Sequence, residues 1–387
     1  MSGFFTPSLS ALEPYTPGEQ PQGKTYIKLN TNESPFAPSP RVLEAVNRAE
    51  AEKLRLYSDP ASAALCRAIA DRFGLAPENV VCGNGSDELL SFAIRAFCDA
   101  DRALACPDIT YGFYKVWCRL WGVKSHVIPL KEDFSLDAAD YENLGETILI
   151  ANPNAPTGRA LPRAQIERLL QTNPNSVVIV DEAYVDFGGE SCVPLIQSYP
   201  NLLVVQTCSK SRSLAGGRLG FALGQKALIE DLNRIRYSFN PYNINRLTAA
   251  AGIAAMQDEE YLEKCTAAIV QSRAWTTAQL RALGFAVQDS LANFVFARCP
   301  AMPGGQLYAE LKKAGILVRH FDAPRTADWL RITIGSQDEM ESLIEAVKHM
   351  VQKAAARAYL VLAGTVKIDP KLDLGFCGVS LYGGCAH

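Results

Sequence analysis

Short runs of β-branched and aliphatic residues recur through the middle of the chain, and helical or loop segments separate them. The runs occupy residues 79–82, 103–106, 125–129, 147–151, 176–181, 201–207 and 218–224. Short, continuously apolar runs are typical of strands that are buried on both faces. The alternation therefore predicts an α/β fold whose large domain has a mostly parallel, seven-stranded sheet.

The pattern changes near residue 260. A long helical periodicity comes first, and apolar runs follow at 293–298, 315–319 and 329–335. Helices are predicted at 304–314 and 337–353, so this part is interpreted as a smaller α/β domain. The expected division is an N-terminal arm at 1–50 that contributes to a dimer and to the small domain, a large domain at 51–255, a small C-terminal domain at 256–353, and a tail at 354–387 to which no fold or role is assigned.

The composition narrows the possible partners. The 387 residues carry 38 basic and 41 acidic side chains, a net charge of −3, without a long run of like charges. Small molecules are therefore expected as partners, and neither nucleic acid nor a membrane is. No stretch reaches the roughly 18 apolar residues of a membrane span, and no signal peptide is recognised, so a cytoplasmic location is expected. The eleven cysteines form no CxxC pair, and no metal site is predicted.

Several predicted strands end in a polar or glycine-rich turn. The turns read GNGSDE, PDITYGFY, NPNAPTG, DEAYVDF and CSKSRS. In open α/β sheets, ligands bind outside the carboxyl ends of the strands. We therefore expect these turns to converge on one site.

One lysine, Lys210, follows the apolar run 201–207 within TCSKSRSLAGGRLG. A lysine in such a place can form a Schiff base with an aldehyde cofactor. Asp181 is a candidate partner for a protonated pyridine nitrogen, and Tyr184 for a ring hydroxyl. Each residue alone has an ordinary alternative: a basic surface turn, a helix-capping aspartate and a packed core tyrosine.

Donors for a phosphate group are also present. The turn 83–90 brings glycines and the start of a helix predicted near Ser86, and helix starts bind anions. Thr207, Ser209 and Arg218 add two hydroxyls and a guanidinium. The turn lacks the lysine of a P-loop, so a nucleotide site is not predicted. Arg212 has no role in this scheme and is expected at the surface or at an interface.

With these residues identified, the chain resembles the fold-type I pyridoxal-phosphate aminotransferases, and within them the histidinol-phosphate aminotransferases. The resemblance covers about residues 12 to 351. It rests on the order and spacing of EPYTPGEQ, LNTNESPFAPSP, YSDP, GNGSDE, PDITYGFY, NPNAPTG, VDEAYVDF, TCSKSRSLAGGRLG, ANF, GILVR and LRITIG.

The resemblance implies pyridoxal 5'-phosphate as cofactor and assigns roles to the residues around it. Lys210 would form the covalent link and carry a proton between the substrate α-carbon and the cofactor. Asp181 would pair with the pyridine nitrogen and Tyr184 with the ring oxygen O3', while Tyr111 would stack on the ring. The phosphate would be held by Gly85, Ser86, Asp87 through its N–H, Thr207, Ser209 and Arg218.

The resemblance also implies a homodimer with shared sites, because Tyr57 of YSDP corresponds to a tyrosine that reaches the partner's phosphate. Two positions depart from the family pattern. The asparagine that usually precedes PTG and reaches O3' is replaced by Ala155, and Asn154 is the candidate to replace it. Ser58 stands where proline is common.

For the substrate, the resemblance points to Arg331 as the carboxylate-binding residue and to Arg319 as a ligand of the substrate phosphate. Tyr15 corresponds to an arm tyrosine that reaches the neighbouring subunit's substrate phosphate. The implied reaction is transamination between L-histidinol phosphate and 2-oxoglutarate in histidine biosynthesis. The alternatives are an aromatic or broad-specificity aminotransferase, a threonine-phosphate decarboxylase of the same fold, and, more remotely, a ligand-sensing regulator.

Overall fold

The structure is a computed structural model that describes residues 4–21, 23 and 25–365. Its strands, in chain order, are β1 (Ile27–Lys28), β2 (Val80–Asn84), β3 (Leu104–Pro107), β4 (Ser125–Ile128), β5 (Thr147–Ala151), β6 (Val178–Asp181), β7 (Leu202–Thr207), β8 (Leu219–Gly224), β9 (Ala286–Val287), β10 (Phe294–Arg298), β11 (Ile316–Leu317), β12 (Arg319–His320) and β13 (Trp329–Thr333).

The α-helices are α1 (Pro40–Ala45), α2 (Arg48–Glu52), α3 (Ala63–Phe73), α4 (Ser86–Phe97), α5 (Phe113–Trp121), α6 (Arg163–Thr172), α7 (Lys226–Phe239), α8 (Arg246–Met256), α9 (Glu259–Ala282), α10 (Gly304–Lys313) and α11 (Gln337–Thr365). None of the described helices is long and apolar enough to span a membrane.

The predicted large sheet is confirmed, and it has seven strands in the order β2-β8-β7-β6-β5-β3-β4. The pairs from β7 through β4 are parallel, whereas β8 runs antiparallel to both of its neighbours. Because β7 and β8 pair as far as Thr207 and Gly220, the loop that contains Lys210 is held at the edge where the parallel strands end.

The apolar runs are continuous because both faces of this sheet are covered. Val178 and Val180 of β6 pack in a core with α3, α6 and α8, while Ile179 between them packs in a second core with α4, α5 and α7. Successive side chains of a strand point to opposite faces, so each face needs its own apolar residues.

The second body consists of an antiparallel sheet in the order β12-β13-β10-β9, covered by α9, α10 and α11. The arm joins this body directly, since β1 pairs in parallel with β11, with Ile27 opposite Ile316. Arm residues also carry the short helices α1 and α2. The exact domain bounds given above stay a prediction.

One helix boundary differs from the sequence-based expectation. Helix α11 continues to Thr365, twelve residues past its predicted end, so it includes part of the segment left unassigned. Residues 366–387, the rest of that segment, lie outside the described residues. The nine described cysteines are all free and buried, as expected for core thiols.

Candidate active site

A cavity of about 360 Å³ lies at the carboxyl ends of the parallel strands. It brings together turns that are far apart in the chain, as the sequence predicted. Its walls include Thr31, Glu33, Ser86, Asp87, Tyr111, Ala155, Asp181, Tyr184, Thr207, Ser209, Lys210 and Arg218.

Lys210 extends into this cavity from the loop between β7 and β8. Its Nζ donates a hydrogen bond to the carbonyl oxygen of Thr31, 3.0 Å away, and lies 5.9 Å from the centre of the Tyr184 ring. Burial, and after it the positive charge of Arg331, lower the pKa of Lys210 to about 8. An amine with this pKa is partly neutral near pH 8, so it can act as a nucleophile and a base.

Asp181 is the last residue of β6 and is buried. Its Oδ2 accepts a hydrogen bond from the Tyr114 hydroxyl at 2.6 Å, and its Oδ1 accepts one from the Ala183 N–H at 3.1 Å. Burial raises the pKa of Asp181 to about 6, although both hydrogen bonds oppose the increase. A buried carboxylate in this place would be stabilised by a cationic partner.

The two aromatic candidates lie on different walls. Tyr184 follows Asp181 by three residues, and its hydroxyl accepts a hydrogen bond from Asn32 Nδ2 at 2.9 Å. Tyr111 donates its hydroxyl to Asp87 Oδ1 at 3.0 Å. Burial raises the pKa of both phenols, so both are protonated at neutral pH.

The phosphate-binding candidates form one end of the cavity. Gly85 has a φ of 81° and directly precedes α4. A Cβ atom at Gly85 would lie 2.4 Å from Arg218 Nη2, so the turn and the guanidinium approach each other closely. Arg218 pairs with Asp87 Oδ2 at 3.0 Å, and the Thr207 hydroxyl lies 3.0 Å from that of Ser209.

A second cavity of about 280 Å³ adjoins the first. Tyr111 and Ala155 line both cavities, and the second also contains Tyr15, Arg319 and Arg331. The three residues assigned to the substrate therefore lie in one place, next to the lysine cavity. Tyr15 lines this cavity in its own chain and is stacked on Phe113, with ring centroids 4.1 Å apart. Its reach into a neighbouring subunit stays a prediction.

The two arginines have different surroundings. Arg331 is held between the Phe294 and Phe321 rings, and its Nη2 donates to the carbonyl oxygen of Asn30 at 2.8 Å. Its Nε is buried without a hydrogen-bond partner among the described residues. Arg319, by contrast, donates to the carbonyl oxygens of Thr16 and Pro17, at 3.0 Å each, and so holds the arm.

The side chain of Asn154 bonds to other protein groups in this structure, and its proposed replacement of the usual asparagine stays a prediction. Its Nδ2 donates to the Ile109 carbonyl and to the Thr157 hydroxyl, and its Oδ1 accepts from the Thr110 hydroxyl. These bonds connect the turn 152–158 to residues 109 and 110. Ala155, not Asn154, faces the lysine cavity.

Two other candidates lie away from the cavity. Tyr57 is 78% exposed and stacks on Tyr242, with ring centroids 4.5 Å apart. Arg212 was expected at the surface or at an interface, but it is buried and donates to the Ala255 carbonyl at 2.6 Å. It therefore connects the lysine loop to the end of α8.

Three residues near the site were not predicted: Asn32, Thr31 and Tyr114. All three belong to quoted motifs, LNTNESP and PDITYGFY, but their partners lie far away in the chain. Tyr114 meets Asp181, and Asn32 meets Tyr184. Only the folded structure shows these pairs.

The residues present fit pyridoxal phosphate. The cavity has an amine at Lys210, a buried carboxylate at Asp181, a phenol at Tyr184, and at its glycine-lined end hydroxyls and the Arg218 guanidinium. These groups match an aldehyde, a pyridinium, a ring oxygen and a phosphate, respectively.

Comparisons with known proteins define the class. The family model "Aminotransferase class I and II" matches residues 24–347. The chain therefore belongs to the class I and II aminotransferase family.

Within that family, two similar proteins are both named histidinol-phosphate aminotransferase. The chain is 48% identical over 356 residues to the histidinol-phosphate aminotransferase of Aromatoleum aromaticum, covering 91% of this chain and all of that protein. It is 51% identical over 351 residues to the enzyme of the same name from Marinomonas sp., covering 90% and 99% of the two chains.

A crystal structure of histidinol-phosphate aminotransferase from Sinorhizobium meliloti in complex with pyridoxal-5'-phosphate is also similar. It superposes with a TM-score of 0.81 at 28% identity, covering 91% of this chain and 99% of that one. The fold-type I architecture expected from the sequence is thus confirmed.

Proposed function

We propose that the protein is a pyridoxal-phosphate-dependent transaminase that transfers the amino group of L-histidinol phosphate to 2-oxoglutarate. The products are imidazole-acetol phosphate and L-glutamate, and the pathway is histidine biosynthesis. Two observations support the proposal. The relatives of this name are about 50% identical in sequence over nearly the whole chain, and the residues that line the two adjoining cavities have the chemistry that the reaction needs.

The observation that carries the substrate assignment is the anion-binding character of the second cavity. The buried Nε of Arg331 has no hydrogen-bond partner in the part of the chain that the structure describes, and Arg319 and Tyr15 line the same cavity. A phosphate from one substrate and a carboxylate from the other can use these donors in turn, because guanidinium binds both anions.

Lys210 is the proposed catalytic base. Pyridoxal phosphate, when bound, would supply an aldehyde for the substrate amine and an electron-accepting pyridine ring. Lys210, neutral in part because burial lowers its pKa to about 8, would take the proton from the substrate α-carbon at its Nζ and carry it toward the cofactor.

Asp181 and Tyr184 are proposed to set the electronic properties of the ring. The Asp181 carboxylate, fixed by Tyr114 and the Ala183 N–H, would hold a proton on the pyridine nitrogen. The Tyr184 phenol would donate to the ring oxygen, and Tyr111 would cover one face of the ring. Gly85, Ser86, Asp87, Thr207, Ser209 and Arg218 would hold the phosphate.

We also infer a homodimer in the cytoplasm. Tyr57 is exposed and is not among the residues that line the cavity of its own chain, as expected for a residue that serves a partner's site. An apolar groove of about 390 Å³, lined by Val42, Leu43, Val46 and Leu214 among others, shares Gly216 with the lysine cavity. An interface over this groove would therefore bring a second chain next to the site.

The substrate assignment is tested by a half-reaction. The holoenzyme is mixed with L-histidinol phosphate in the absence of a keto acid, and the absorbance spectrum of the cofactor is followed. Conversion to the pyridoxamine form with release of imidazole-acetol phosphate is expected. An unchanged spectrum, together with conversion by L-phenylalanine or release of CO2 from threonine phosphate, would move the assignment to another enzyme of this fold.

The dimer is tested by sedimentation and by Tyr57→Phe. A dimer is expected for both proteins, with weaker cofactor binding in the variant because the partner's phosphate loses a donor. Tyr237→Phe, which changes another exposed tyrosine, is the matched control. A monomeric holoenzyme with full activity would contradict the shared site.

A further inference from the structure

Asn32 is buried at the meeting point of the arm, the small sheet and the lysine cavity. Its backbone φ is 57°, in the left-handed region that asparagine tolerates better than most residues. Its N–H donates to the Thr333 hydroxyl at 3.0 Å, and its carbonyl oxygen accepts from Asn293 Nδ2 at 3.0 Å. The backbone at Asn32 is thus fixed from two sides.

Thr333 determines which way the Asn32 amide points. Since the Thr333 hydroxyl accepts the Asn32 N–H, its own proton is available for Asn32 Oδ1, 2.9 Å away. An amide oxygen that faces Thr333 leaves the amide nitrogen facing Tyr184, whose hydroxyl is 2.9 Å from Nδ2. The amide nitrogen can only donate, so Tyr184 is the acceptor in this bond.

The proton of the Tyr184 hydroxyl then needs a different acceptor. None is present among the residues that the structure describes, and the phenol lines the lysine cavity. The charged groups that act on the phenol are Arg331, Asp181 and Asp87, with the Lys210 ammonium 5.9 Å from the ring centre. The proton of the Tyr184 hydroxyl can therefore point into the lysine cavity.

We propose that Asn32, oriented by Thr333, is a positioning residue that holds Tyr184 as an acceptor and so directs the phenol proton to the cofactor's ring oxygen. The inference rests on the role proposed above for Tyr184. It has particular weight in this chain because Ala155 has no side-chain donor for that oxygen. Tyr184 would have to provide this hydrogen bond without the help of an asparagine at position 155.

The test is a pH titration of the bound cofactor's absorbance. The midpoint of this titration is the pKa of the proton shared by the Lys210 nitrogen and the ring oxygen. A hydrogen-bond donor to the ring oxygen lowers this pKa. Tyr184→Phe should therefore raise the midpoint. Asn32→Gly, which keeps the left-handed backbone and adds no charge, should raise it by a smaller amount, about half a pH unit.

The double variant Asn32→Gly/Tyr184→Phe separates positioning from a general structural effect. If Asn32 acts through Tyr184, the double variant has the midpoint of Tyr184→Phe alone. Asn143→Gly is the matched control, because Asn143 has a φ of 56° in an exposed turn and should keep the wild-type midpoint.

The outcomes distinguish the inference from the proposed function. A wild-type midpoint in Asn32→Gly, or a shift that adds fully to that of Tyr184→Phe, overturns the role of Asn32 while the role of Tyr184 stands. An unchanged midpoint in Tyr184→Phe overturns both.

A second pair of variants serves if Asn32→Gly does not fold or bind the cofactor. Thr333→Val removes the hydroxyl that orients the amide, and Thr333→Ser retains it. The valine variant should raise the midpoint in the same direction, and the serine variant should keep the wild-type value. Equal midpoints in both would contradict the proposed orientation.

Discussion

The two ends of the site are built differently. At the cofactor end, Asp181 is the last residue of β6 and Lys210 comes three residues after β7, a neighbouring strand of the same sheet, which is covered on both faces. At the substrate end, Tyr15, Arg319 and Arg331 come from the arm and from the small sheet. The first end is fixed by a continuous core, and the second depends on how the arm lies over the small body.

We infer from this difference that the cofactor end of the site is rigid and that the substrate end can adapt to its ligand. Arg319 holds the arm through the Thr16 and Pro17 carbonyls, and the Glu19 carboxylate bonds to Lys312 and Tyr308 on α10. A dianionic ligand at Arg319 would compete with those carbonyls, because charged acceptors form stronger hydrogen bonds. We therefore expect variants at the cofactor end to act on the chemical step and those at the substrate end to act on the KM.

The largest effect is expected at the cofactor end. Lys210→Ala removes the covalent link and the base, so kcat should fall by about 10⁴-fold or more. The cofactor should remain bound through its phosphate, which absorbance after gel filtration would reveal. Lys226→Ala, a change at the exposed start of α7, should have wild-type kcat. A Lys210→Ala enzyme with normal turnover would refute the assignment.

At the substrate end, the two arginines should differ. Arg331→Lys loses the planar, two-pronged donor in a buried place, and kcat/KM for 2-oxoglutarate should fall by about 100-fold. Arg319→Lys should cost this substrate about 10-fold or less, because the Arg319 donors already serve the arm. If steady-state assays show equal losses of kcat/KM in the two variants, the two arginines do not differ in the way described.

The buried Asp181 should affect the stability of the cofactor-free protein. Burial raises its pKa to about 6, so its contribution to stability is fully present below its ordinary pKa, near 4, and is lost as the pH rises through about 6. Asn lacks this titration. The free energy of unfolding of cofactor-free Asp181→Asn, relative to wild type, should therefore increase by up to about 3 kcal/mol between pH 4 and pH 7.

Urea unfolding of both cofactor-free proteins at the two pH values measures this difference. With the cofactor bound, the sign should reverse, because the carboxylate then has a cationic partner. A relative stability that does not change between pH 4 and pH 7 would show that Asp181 titrates normally.

The smallest effect concerns the phosphate end. Gly85→Ala would place a Cβ 2.4 Å from Arg218 Nη2 at a positive φ, and the cofactor Kd should increase about 10-fold as the guanidinium moves. Gly74→Ala is the matched control, since Gly74 has a φ of 65° and open space around it. Equal cofactor affinity in the two variants would contradict a close approach of Gly85 to bound phosphate.

The same difference explains what the sequence could predict. The seven strands were recognisable because burial on both faces requires continuous apolar runs, and Asp181 and Lys210 were recognisable because they follow such runs. The antiparallel direction of β8 was not, since it depends on pairing with β2 and β7. The pattern of a strand does not indicate its direction.

The direction of side chains within loops also could not be predicted from the sequence. Asn154 and Ala155 are adjacent, yet only the structure shows that the first bonds to Ile109 and Thr110 and the second faces the cavity. Asn32 could not be assigned because its partners, Tyr184 and Thr333, are distant in sequence. Motif spacing does not contain such long-range pairings.

The pairing of β1 with β11 has a consequence for how the chain folds. Ile27 lies opposite Ile316, so a segment synthesised first must wait for one synthesised near the end. Bringing such distant segments together is entropically costly and slow. We expect the seven-stranded body to form before β11 has been synthesised, and the arm to dock only once β11 is available. During that interval the lysine cavity would lack Thr31 and Asn32, so a newly made chain would acquire a complete site last.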